Sequence, residues 1–321
     1  MDRRSFLRGA GYAAAGALAG APAIAAVFGR RRFAGAAGAP LQWSPLGEKP
    51  RGPYDLVVVR GKDPAKMAEA GLEAIGALDK FITRGDNVLV KPNVAWDRLP
   101  EQAANTNPEL VGALVRLALR CGARSVTVAD HACNAAANTF ERSGVRRAAG
   151  EAGARVALLG EKDFVRVRLG GRAIDSWEAF ADYPKFDKVI NAPIAKHHSL
   201  AGLTLSLKSY FGLAGGKRRD LHQEIDGTIV DLAAFFTRLR PTLTVLDAIR
   251  ILLRNGPQGG RTEDVRQADT LVFGYEPASV DAFGATLFDQ PPDRISHVRA
   301  GAERGLGSLD LKSLRVKEVR L

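Results

Sequence analysis

The chain has 321 residues, of which 46% are hydrophobic, and a formal net charge of +11. Residues 1–32 contribute six arginines and one aspartate, so the rest of the chain carries 40 basic and 34 acidic residues. This mild excess, without an arginine-rich arm or an aromatic RNA-binding motif, argues against a nucleic-acid partner. Two cysteines, Cys121 and Cys133, cannot hold a four-thiolate iron–sulfur cluster, so no cluster within the chain is expected.

The N-terminus has the pattern of a bacterial twin-arginine export signal. Residues 3–8 read RRSFLR, and a weakly apolar segment rich in alanine and glycine follows up to Val27. The alternative is an alanine-rich helix with a basic start. Arg30 to Arg32, directly after the apolar segment, leave open an uncleaved membrane anchor. We therefore expect a periplasmic or exported protein that uses the twin-arginine machinery, a route that often carries folded proteins with a cofactor.

Composition divides the chain into four segments. Residues 1–32 are the signal or anchor, and residues 33–53, rich in glycine, alanine and proline, are a linker. Residues 54–290 carry a regular alternation of strand and helix patterns, and residues 291–321 are a C-terminal extension. The length after the leader suits one large α/β domain or two lobes.

Short β-branched, apolar runs predict buried strands in the first half of this domain, over residues 55–60, 87–91, 125–129 and 155–159. Asp63-Pro64 and Asn107-Pro108 each place a capping side chain before a proline, so a helix begins at each pair. A further helix is predicted over residues 140–149. Helices between successive strands imply crossover connections and a parallel sheet.

The second half repeats this pattern less regularly. It predicts strands over residues 186–191, 242–247 and 270–273, and helices over residues 204–213, 225–239 and 277–288. The whole pattern predicts an α/β fold in which a mostly parallel sheet is flanked by helices, with two lobes around a crevice.

Residues 191–222 concentrate the groups that bind anions, metals or protons. They hold three of the five histidines and several lysines and arginines, next to apolar runs that look like core elements. Such groups are costly to bury without partners. The segment therefore predicts a lined cleft rather than a solvated face.

Polar residues also follow several predicted strands, and in an open parallel sheet the ligand crevice lies at those carboxyl ends. They are Lys91 and Asn93, Asp130 with His131, Lys196 with His197 after Asn191, and Asp247. Lysine there could meet a carboxylate or phosphate, and Asp130 beside His131 could be a metal-ligand pair or an acid/base unit. The alternative for each residue is a helix cap or a solvated turn.

Lys208 lies among apolar residues of the predicted helix 204–213. Thr204, Lys208 and Phe211 share one helical face there. A lysine in such surroundings can be partly desolvated, which lowers its pKa and makes it a candidate base or nucleophile. The alternative is that its stem packs in the core while the ammonium reaches water.

Three more charged positions are candidates. His222 lies four residues before Asp226, so the two could share a helical face. Lys217 follows two glycines, but the spaced glycines and the hydroxyl residue of a nucleotide-binding loop are missing. Asp281 lies inside the predicted helix 277–288, where a binding or a capping role is open.

These residues resemble the domain of unknown function 362 family. The matching pieces span about residues 54–290 in order, and they are 88–93 (VLVKPN), 105–108 (NTNP), 122–130 (GARSVTVAD), 196–197 (KH), 207–208 (LK), 211–212 (FG), Lys217, His222, 231–232 (DL), 246–248 (LDA), 256–257 (GP) and 280–282 (VDA). The resemblance implies an α/β domain, accompanied in some relatives by ferredoxin-like iron–sulfur modules. It implies no settled activity.

The chain departs from that family pattern at three places. Ser209 stands where the family usually has asparagine, and Arg254-Asn255 stand where it often has Glu-Gly. No cysteine cluster follows residue 290, so electron transfer through a cluster in this chain is not expected. A ligand site that needs that glutamate is in doubt.

Taken together, the patterns predict a crevice that binds a small anionic ligand, with a divalent metal as an option. The candidate catalytic residues are Lys196, His197, Lys208 and His222, and the candidate ligand-binding residues are Lys91, Asn93, Asp130, Lys217, Asp247 and Asp281. The alternative is a non-catalytic periplasmic protein that binds a ligand or serves as an accessory protein for a redox partner. Whether Cys121 and Cys133 form a disulfide stays open.

Overall fold

The computed structural model describes residues 39–46 and 50–321. The predicted export signal, residues 1–32, lies outside the described residues. The described residues all belong to one compact unit. Among them, no helix has the length and apolarity needed to cross a membrane.

The strands of the described chain are β1 (Leu56–Arg60), β2 (Asn87–Pro92), β3 (Ser125–Asp130), β4 (Arg155–Leu158), β5 (Phe164–Arg168), β6 (Ser176–Phe180), β7 (Lys188–Ala192), β8 (Ile194–His198), β9 (Gly202–Thr204), β10 (Thr242–Leu252), β11 (Val265–Gly274) and β12 (Val316–Arg320). The α-helices are α1 (Pro64–Ala74), α2 (Ala77–Lys80), α3 (Pro108–Arg120), α4 (Ala136–Arg142), α5 (Val145–Glu151), α6 (Ser206–Ser209), α7 (Ile225–Leu239), α8 (Pro277–Thr286) and α9 (Ser296–Glu303). Short 3₁₀ turns lie at Pro100–Gln102, Glu161–Asp163, Tyr183–Lys185, Tyr210–Leu213, Arg218–His222, Thr262–Asp264 and Pro292–Arg294.

Most of these strands form one mixed sheet in the order β12-β1-β11-β10-β7-β2-β3-β4. The run from β10 to β4 is parallel, and β11 is antiparallel to both β1 and β10. The predicted α/β fold with a mostly parallel sheet is confirmed. The predicted division into two lobes is wrong for the described residues, because β11 pairs with β1 and β7 pairs with β2, so strands from both halves of the chain form one sheet.

Both faces of the sheet are covered, as the alternation in β1 shows. Val57 and Val59 pack into the core beneath α1 and α3, whereas Leu56 and Val58 pack into the core beneath α8 and α9. All four side chains are buried. A strand buried on both faces has a continuous apolar sequence, which is why residues 55–60 show no alternation of polar and apolar residues.

Two predicted helices differ from the observed structure. The single helix expected over residues 140–149 is divided into α4 and α5 at Gly144, whose φ of 74° interrupts the helix. The helix expected over residues 204–213 is wrong at its start, because Thr204 ends β9 and pairs with Lys196. The α-helix there is only Ser206–Ser209, and a 3₁₀ turn follows it.

The residues predicted as a C-terminal extension pack into the same unit. β12 lies parallel to β1 at the edge of the sheet. Arg315, just before β12, forms an ion pair of 2.8 Å with Asp55, just before β1. The chain end therefore completes the sheet next to the strand with which the described domain begins.

Cys121 and Cys133 are not joined by a disulfide. Cys121 caps the C-terminal end of α3, before β3 begins, and Cys133 follows the carboxyl end of β3. A strand of this length separates them by roughly 20 Å, since each residue advances about 3.3 Å. A disulfide needs Cα atoms within about 7 Å, so the pairing that the sequence left open does not occur in this fold.

Candidate functional site

A cavity of about 380 Å³ lies at the carboxyl ends of β2 and β3, the edge at which the sequence predicts a crevice. The β8–β9 hairpin and the segment from Thr204 to His222 form its other walls. Four cationic side chains and three imidazoles line it: Lys196, Lys208, Arg218, Arg219, His131, His198 and His222. Residues at the carboxyl ends of the strands and residues of the histidine-rich segment 191–222 therefore line the same cavity.

The base of the cavity contains a buried ion pair. Lys91 Nζ lies 3.0 Å from Asp130 Oδ1, and both side chains are almost completely excluded from solvent. Lys91 Nζ also donates to the carbonyl oxygen of Pro92 at 2.7 Å, and Asp130 Oδ2 accepts from Val94 N–H at 2.5 Å. Burial lowers the pKa of Lys91, while the carboxylate of Asp130 opposes this shift. Asp130 faces the cavity, and its charge is compensated by Lys91 behind it.

Lys196 comes from β8 and is fixed by two oxygen acceptors. Its Nζ donates to Asn93 Oδ1 at 3.0 Å and to the carbonyl oxygen of Ala104 at 2.6 Å. Asn93 is itself held, because its backbone N–H donates to Thr106 Oγ1 at 2.8 Å. Burial lowers the pKa of Lys196 to about 7. The motif residues around 105–108 therefore position the groups that hold this lysine.

The side chains of β8 alternate across the strand, and this separates its two histidines. Lys196 and His198 line the cavity, whereas His197 does not. His197 Nδ1 instead accepts from the backbone N–H of Gly256 at 3.1 Å. The structure thus places His197, predicted as catalytic, against the Gly256 loop, and it places His198 where His197 was expected.

The hydrogen bonds of His198 and His222 define their protonation. His198 Nδ1 accepts from the backbone N–H groups of Leu200 and Ala201, both at 3.1 Å, so the ring is neutral with its proton on Nε2. Burial, together with the charges of Lys208 and Lys196, lowers the pKa of His198 to about 2. His222 Nδ1 donates to the carbonyl oxygen of Arg218 at 2.9 Å, which leaves Nε2 as an acceptor in the neutral ring. The two rings stack at a centroid distance of 6.3 Å.

Lys208 lines the cavity from α6. Only 7% of this residue is exposed, and its Nζ lies 4.2 Å from the centroid of the Phe211 ring. No hydrogen bond or ion pair of its Nζ occurs within the described residues. Burial lowers the pKa of Lys208 to about 8, and the nearby charges of Arg218 and Lys91 contribute to the decrease. The position of Lys208 follows from Asp281, because the Asp281 carboxylate accepts from the N–H groups of Ser206 and Leu207, at 2.7 and 3.0 Å, where α6 begins.

Arg218 and His131 are both anchored by backbone carbonyl groups. Arg218 donates from Nη1 to the carbonyl oxygen of His131 and from Nη2 to that of Ala132, each at 2.7 Å. His131 Nδ1 donates to the carbonyl oxygen of Ala214 at 3.0 Å, and burial lowers the pKa of His131. No carboxylate of the described residues pairs with this guanidinium, so its orientation comes from the two carbonyl groups alone.

Two buried hydroxyl groups of the cavity wall also lack partners. Thr204 Oγ1 and Ser209 Oγ are buried and make no hydrogen bond within the described part of the chain. Both residues line the cavity. Buried hydroxyl groups normally find a partner, so these two indicate that a polar ligand or ordered water supplies one. In the described residues, no group of three or more His, Cys, Asp or Glu side chains is arranged to hold a metal ion.

Of the residues predicted for the site, five line this cavity: Asn93, Asp130, Lys196, Lys208 and His222. Lys91 lies behind Asp130, and Lys217 is exposed outside the cavity wall. Asp247 is buried and accepts from the backbone N–H of Asn107 at 2.7 Å. Burial raises the pKa of Asp247 to about 6 and that of Asp281 to about 7. Asp247 accepts from a backbone N–H where α3 begins, and Asp281 does the same where α6 begins. Both aspartates therefore cap helices, which is the alternative that the sequence left open.

The sequence prediction did not include His198 and Arg218 among the site residues. His198 could have been found from the alternation of a strand that contains Lys196, if residues 194–198 had been read as a strand. Arg218 had no such signal, because its orientation depends on the carbonyl oxygens of His131 and Ala132, more than 80 positions earlier in the chain.

Comparison with known proteins gives one family match. Residues 88–286 match the model of the domain of unknown function DUF362. The chain is 26% identical over 247 residues to the thylakoid-associated protein sll1697 of Synechocystis sp., a match that covers 73% of each protein.

Two solved structures are similar at low sequence identity. The first is a Thermotoga maritima protein with a TM-score of 0.43 and 12% identity, and the second is the lactate racemase apoprotein of Thermoanaerobacterium thermosaccharolyticum with a TM-score of 0.48 and 9% identity. The matches cover 76% and 72% of this chain but only 60% and 56% of those chains.

Proposed function

We propose that this chain, which belongs to the family defined by the domain of unknown function DUF362, is an exported protein that binds a small organic anion in the cation-lined cavity. The observation that carries the proposal is a charge imbalance. Lys196, Lys208 and Arg218 line the cavity, and the only aspartate or glutamate among its described lining residues is Asp130, which is already paired with Lys91. Uncompensated buried cations are unfavourable, and an anion would relieve that cost.

The polar groups of the cavity suit a carboxylate or phosphate group. Arg218 presents a planar guanidinium that can donate to two oxygens of one anion. The His198 Nε2–H is a further donor. The hydroxyl groups of Thr204 and Ser209, which have no partner among the described residues, can pair with other polar atoms of the ligand. The cavity volume of about 380 Å³ suits a molecule of a few to a dozen or so heavy atoms.

Isothermal titration calorimetry with oxalate, oxamate and phosphate tests this proposal. We expect at least one of these anions to bind, and Arg218→Met and Lys196→Met each to weaken binding by about tenfold or more, since a charged hydrogen bond is worth roughly 1.5–3 kcal/mol. Lys217→Met is the matched control, because Lys217 is a neighbouring lysine outside the cavity. Circular dichroism confirms that each variant is folded. Absence of binding for all three anions, or an equal loss in the Lys217 variant, contradicts the proposal.

Export is a separate part of the proposal and rests on the N-terminal sequence. Residues 3–8 carry the arginine pair of a twin-arginine signal. Replacing Arg3 and Arg4 by lysine should leave the precursor in the cytoplasm of the host, as measured by cell fractionation and immunoblotting. Equal amounts of the two forms outside the cytoplasm would show that the arginine pair is not the signal.

A further inference from the structure

We propose that Lys208 is a nucleophile that forms a Schiff base with the carbonyl carbon of a 2-oxo acid bound in the cavity. This inference rests on the proposed function, because it adds a carbonyl group to the organic anion that the cavity binds. It names the substrate class, a short 2-oxo carboxylate, and one covalent step.

The two lysines that line the cavity differ in their hydrogen bonds. Lys196 Nζ donates to Asn93 Oδ1 and to the carbonyl oxygen of Ala104, and these two acceptors stabilise its ammonium form. Lys208 Nζ has no such acceptor within the described residues, and it lies over the Phe211 ring at 4.2 Å. A nucleophilic amine must have a free lone pair, so Lys208 rather than Lys196 is suited to attack a carbonyl group.

Lys208 also lies among other cations. It lies more than nine-tenths buried in a wall that also presents Arg218 and Lys196. Burial, together with the charges of Arg218 and Lys91, lowers the pKa of Lys208 to about 8, so its ammonium group loses a proton more readily than that of an ordinary lysine. Arg218 and Lys196 attract a carboxylate, so the cavity brings an anionic group close to a readily deprotonated amine.

Two groups in the cavity wall near Lys208 can accept or donate the protons of the reaction. The ring centroids of His222 and Phe211 lie 5.5 Å apart, and Lys208 Nζ contacts the same Phe211 ring. Its Nδ1–H is bound to the carbonyl oxygen of Arg218, so Nε2 is available to accept a proton. The hydroxyl group of Ser209, the residue after Lys208, is buried with no hydrogen-bond partner among the described residues, and it can hydrogen-bond the carbonyl oxygen.

The step balances without an oxidant or a reductant. The Lys208 amine attacks the carbonyl carbon, a C–N bond forms, and the carbonyl oxygen takes up a proton. Proton transfer through His222 Nε2 carries a proton from the nitrogen to that oxygen, which leaves as water when the second C–O bond breaks. Relative to the ammonium form of Lys208 and the free oxo acid, the products are a protonated imine and one water molecule.

Reductive trapping tests the inference on the full chain. The protein is incubated with pyruvate and sodium cyanoborohydride at neutral pH, and the modified residue is located by peptide mass mapping. We expect a reduced pyruvate adduct on Lys208, at a yield at least about tenfold above that on any other lysine. Acetone, which has the ketone but no carboxylate, should label Lys208 at least about tenfold less, because Arg218 and Lys196 cannot hold it.

Two variants complete the test. Lys208→Arg keeps the positive charge and removes the nucleophile, so the adduct should be lost. Lys217→Arg changes a lysine outside the cavity wall and should form the adduct at the wild-type yield. An adduct that persists in Lys208→Arg at the same yield, or that spreads evenly over surface lysines, overturns the inference.

Calorimetry with oxamate separates failure of the inference from failure of the proposed function. Oxamate has the shape of pyruvate, but its amide carbonyl does not form a Schiff base. If oxamate binds to the wild type and to Lys208→Arg while pyruvate is not trapped, the Schiff base is wrong and anion binding stands. If oxamate does not bind and pyruvate is not trapped, both proposals fail for this class of anion.

Discussion

The ion pair of Lys91 and Asp130 sets the charge of the cavity, because it neutralises the one described carboxylate in the wall. A pair with both side chains almost completely buried has lost most of its hydration, so each member depends on the other. If Asp130 stood alone, it would compete with any bound anion for Lys196 and Lys208. Pairing it with Lys91 keeps those two cations available.

Loss of one member of this ion pair should destabilise the protein. Asp130→Asn leaves the Lys91 ammonium buried without its carboxylate, and we expect the free energy of unfolding to fall by about 3–5 kcal/mol. The double variant Lys91→Met/Asp130→Asn should lose less than the sum of the two single variants, because neither charge is then left alone. Guanidinium chloride unfolding, followed by circular dichroism, measures all three.

The exposed pair of Lys185 and Asp182 provides the control. Its atoms are only 2.7 Å apart, but the lysine side chain is 74% exposed. Lys185→Met should therefore change the free energy of unfolding by less than about 1 kcal/mol. If Asp130→Asn lowers the free energy of unfolding no more than Lys185→Met does, burial does not increase the contribution of the Lys91–Asp130 pair to stability.

Among the secondary-structure elements, β8 determines which imidazole meets a ligand. Its alternation directs Lys196 and His198 to the cavity and His197 to the loop at Gly256. His198→Ala should weaken binding of oxamate, because the Nε2–H donor is lost. His197→Ala should leave the dissociation constant within about twofold and cost about 1 kcal/mol of stability, since one hydrogen bond to a backbone N–H is lost. Calorimetry and denaturant unfolding distinguish the two, and the reverse result would place the wrong face of β8 at the site.

The 3₁₀ turn after α6 has to pass very close to the ion pair. A Cβ atom on Gly212 would lie 1.7 Å from Asp130 Oδ1 and 2.7 Å from Lys91 Nζ. Gly212→Ala should therefore displace the pair and lower the free energy of unfolding by at least about 1–3 kcal/mol. In α5, a Cβ atom on Gly150 meets nothing within 4 Å, and Gly150→Ala should gain up to about 1 kcal/mol. Similar effects of the two changes in thermal unfolding would contradict the close approach at Gly212.

The same elements show what local sequence can and cannot predict. The helix over residues 225–239 was predicted with the observed bounds, because its apolar spacing is a local property. The start of α6 was not, because it is set by the carboxylate of Asp281, 75 positions later in the chain. The prediction that His197 rather than His198 lines the cavity was wrong for a related reason. Residues 194–198 form a strand because Lys196 pairs with Thr204, and this pairing is not visible in the local sequence.

For the whole molecule, the fold and the place of the cavity followed from the sequence more readily than the roles of single residues. Parallel strands end at one edge, so Asn93, Asp130 and Lys196 had to lie near one another. Asp247 lies at the same edge, yet it binds the backbone of Asn107 and begins α3. Only the path of the connecting loops decides whether a polar residue at this edge caps a helix or faces the cavity.

The buried lysines also make the stability of the whole molecule depend on pH. Burial lowers the pKa of Lys196 from 10.5 to about 7 in the folded protein, whereas the unfolded chain keeps the ordinary value. Between pH 7 and 10.5 the unfolded state therefore binds more protons, and the contribution of Lys196 to the free energy of unfolding rises with pH. Below pH 7 both states are protonated and the cost of burying the charge is fully present. Each pKa unit between the folded and unfolded states is worth about 1.4 kcal/mol, so the free energy of unfolding rises by several kcal/mol at most. The acceptors Asn93 Oδ1 and the Ala104 carbonyl oxygen favour the ammonium form and reduce this rise.

Comparison of the wild type with Lys196→Met isolates this contribution from the other groups that titrate above pH 7. We expect the free energy of unfolding of the wild type to rise relative to that of Lys196→Met between pH 7 and 10, as measured by urea unfolding at several pH values without added anion. Saturating oxamate should reduce the difference, because a bound anion stabilises the ammonium and raises the pKa of Lys196 toward its ordinary value. Parallel curves for the two proteins would mean that Lys196 keeps an ordinary pKa in the cavity. In that case its charge would persist to high pH, and anion binding would not weaken between pH 7 and 9 through this residue.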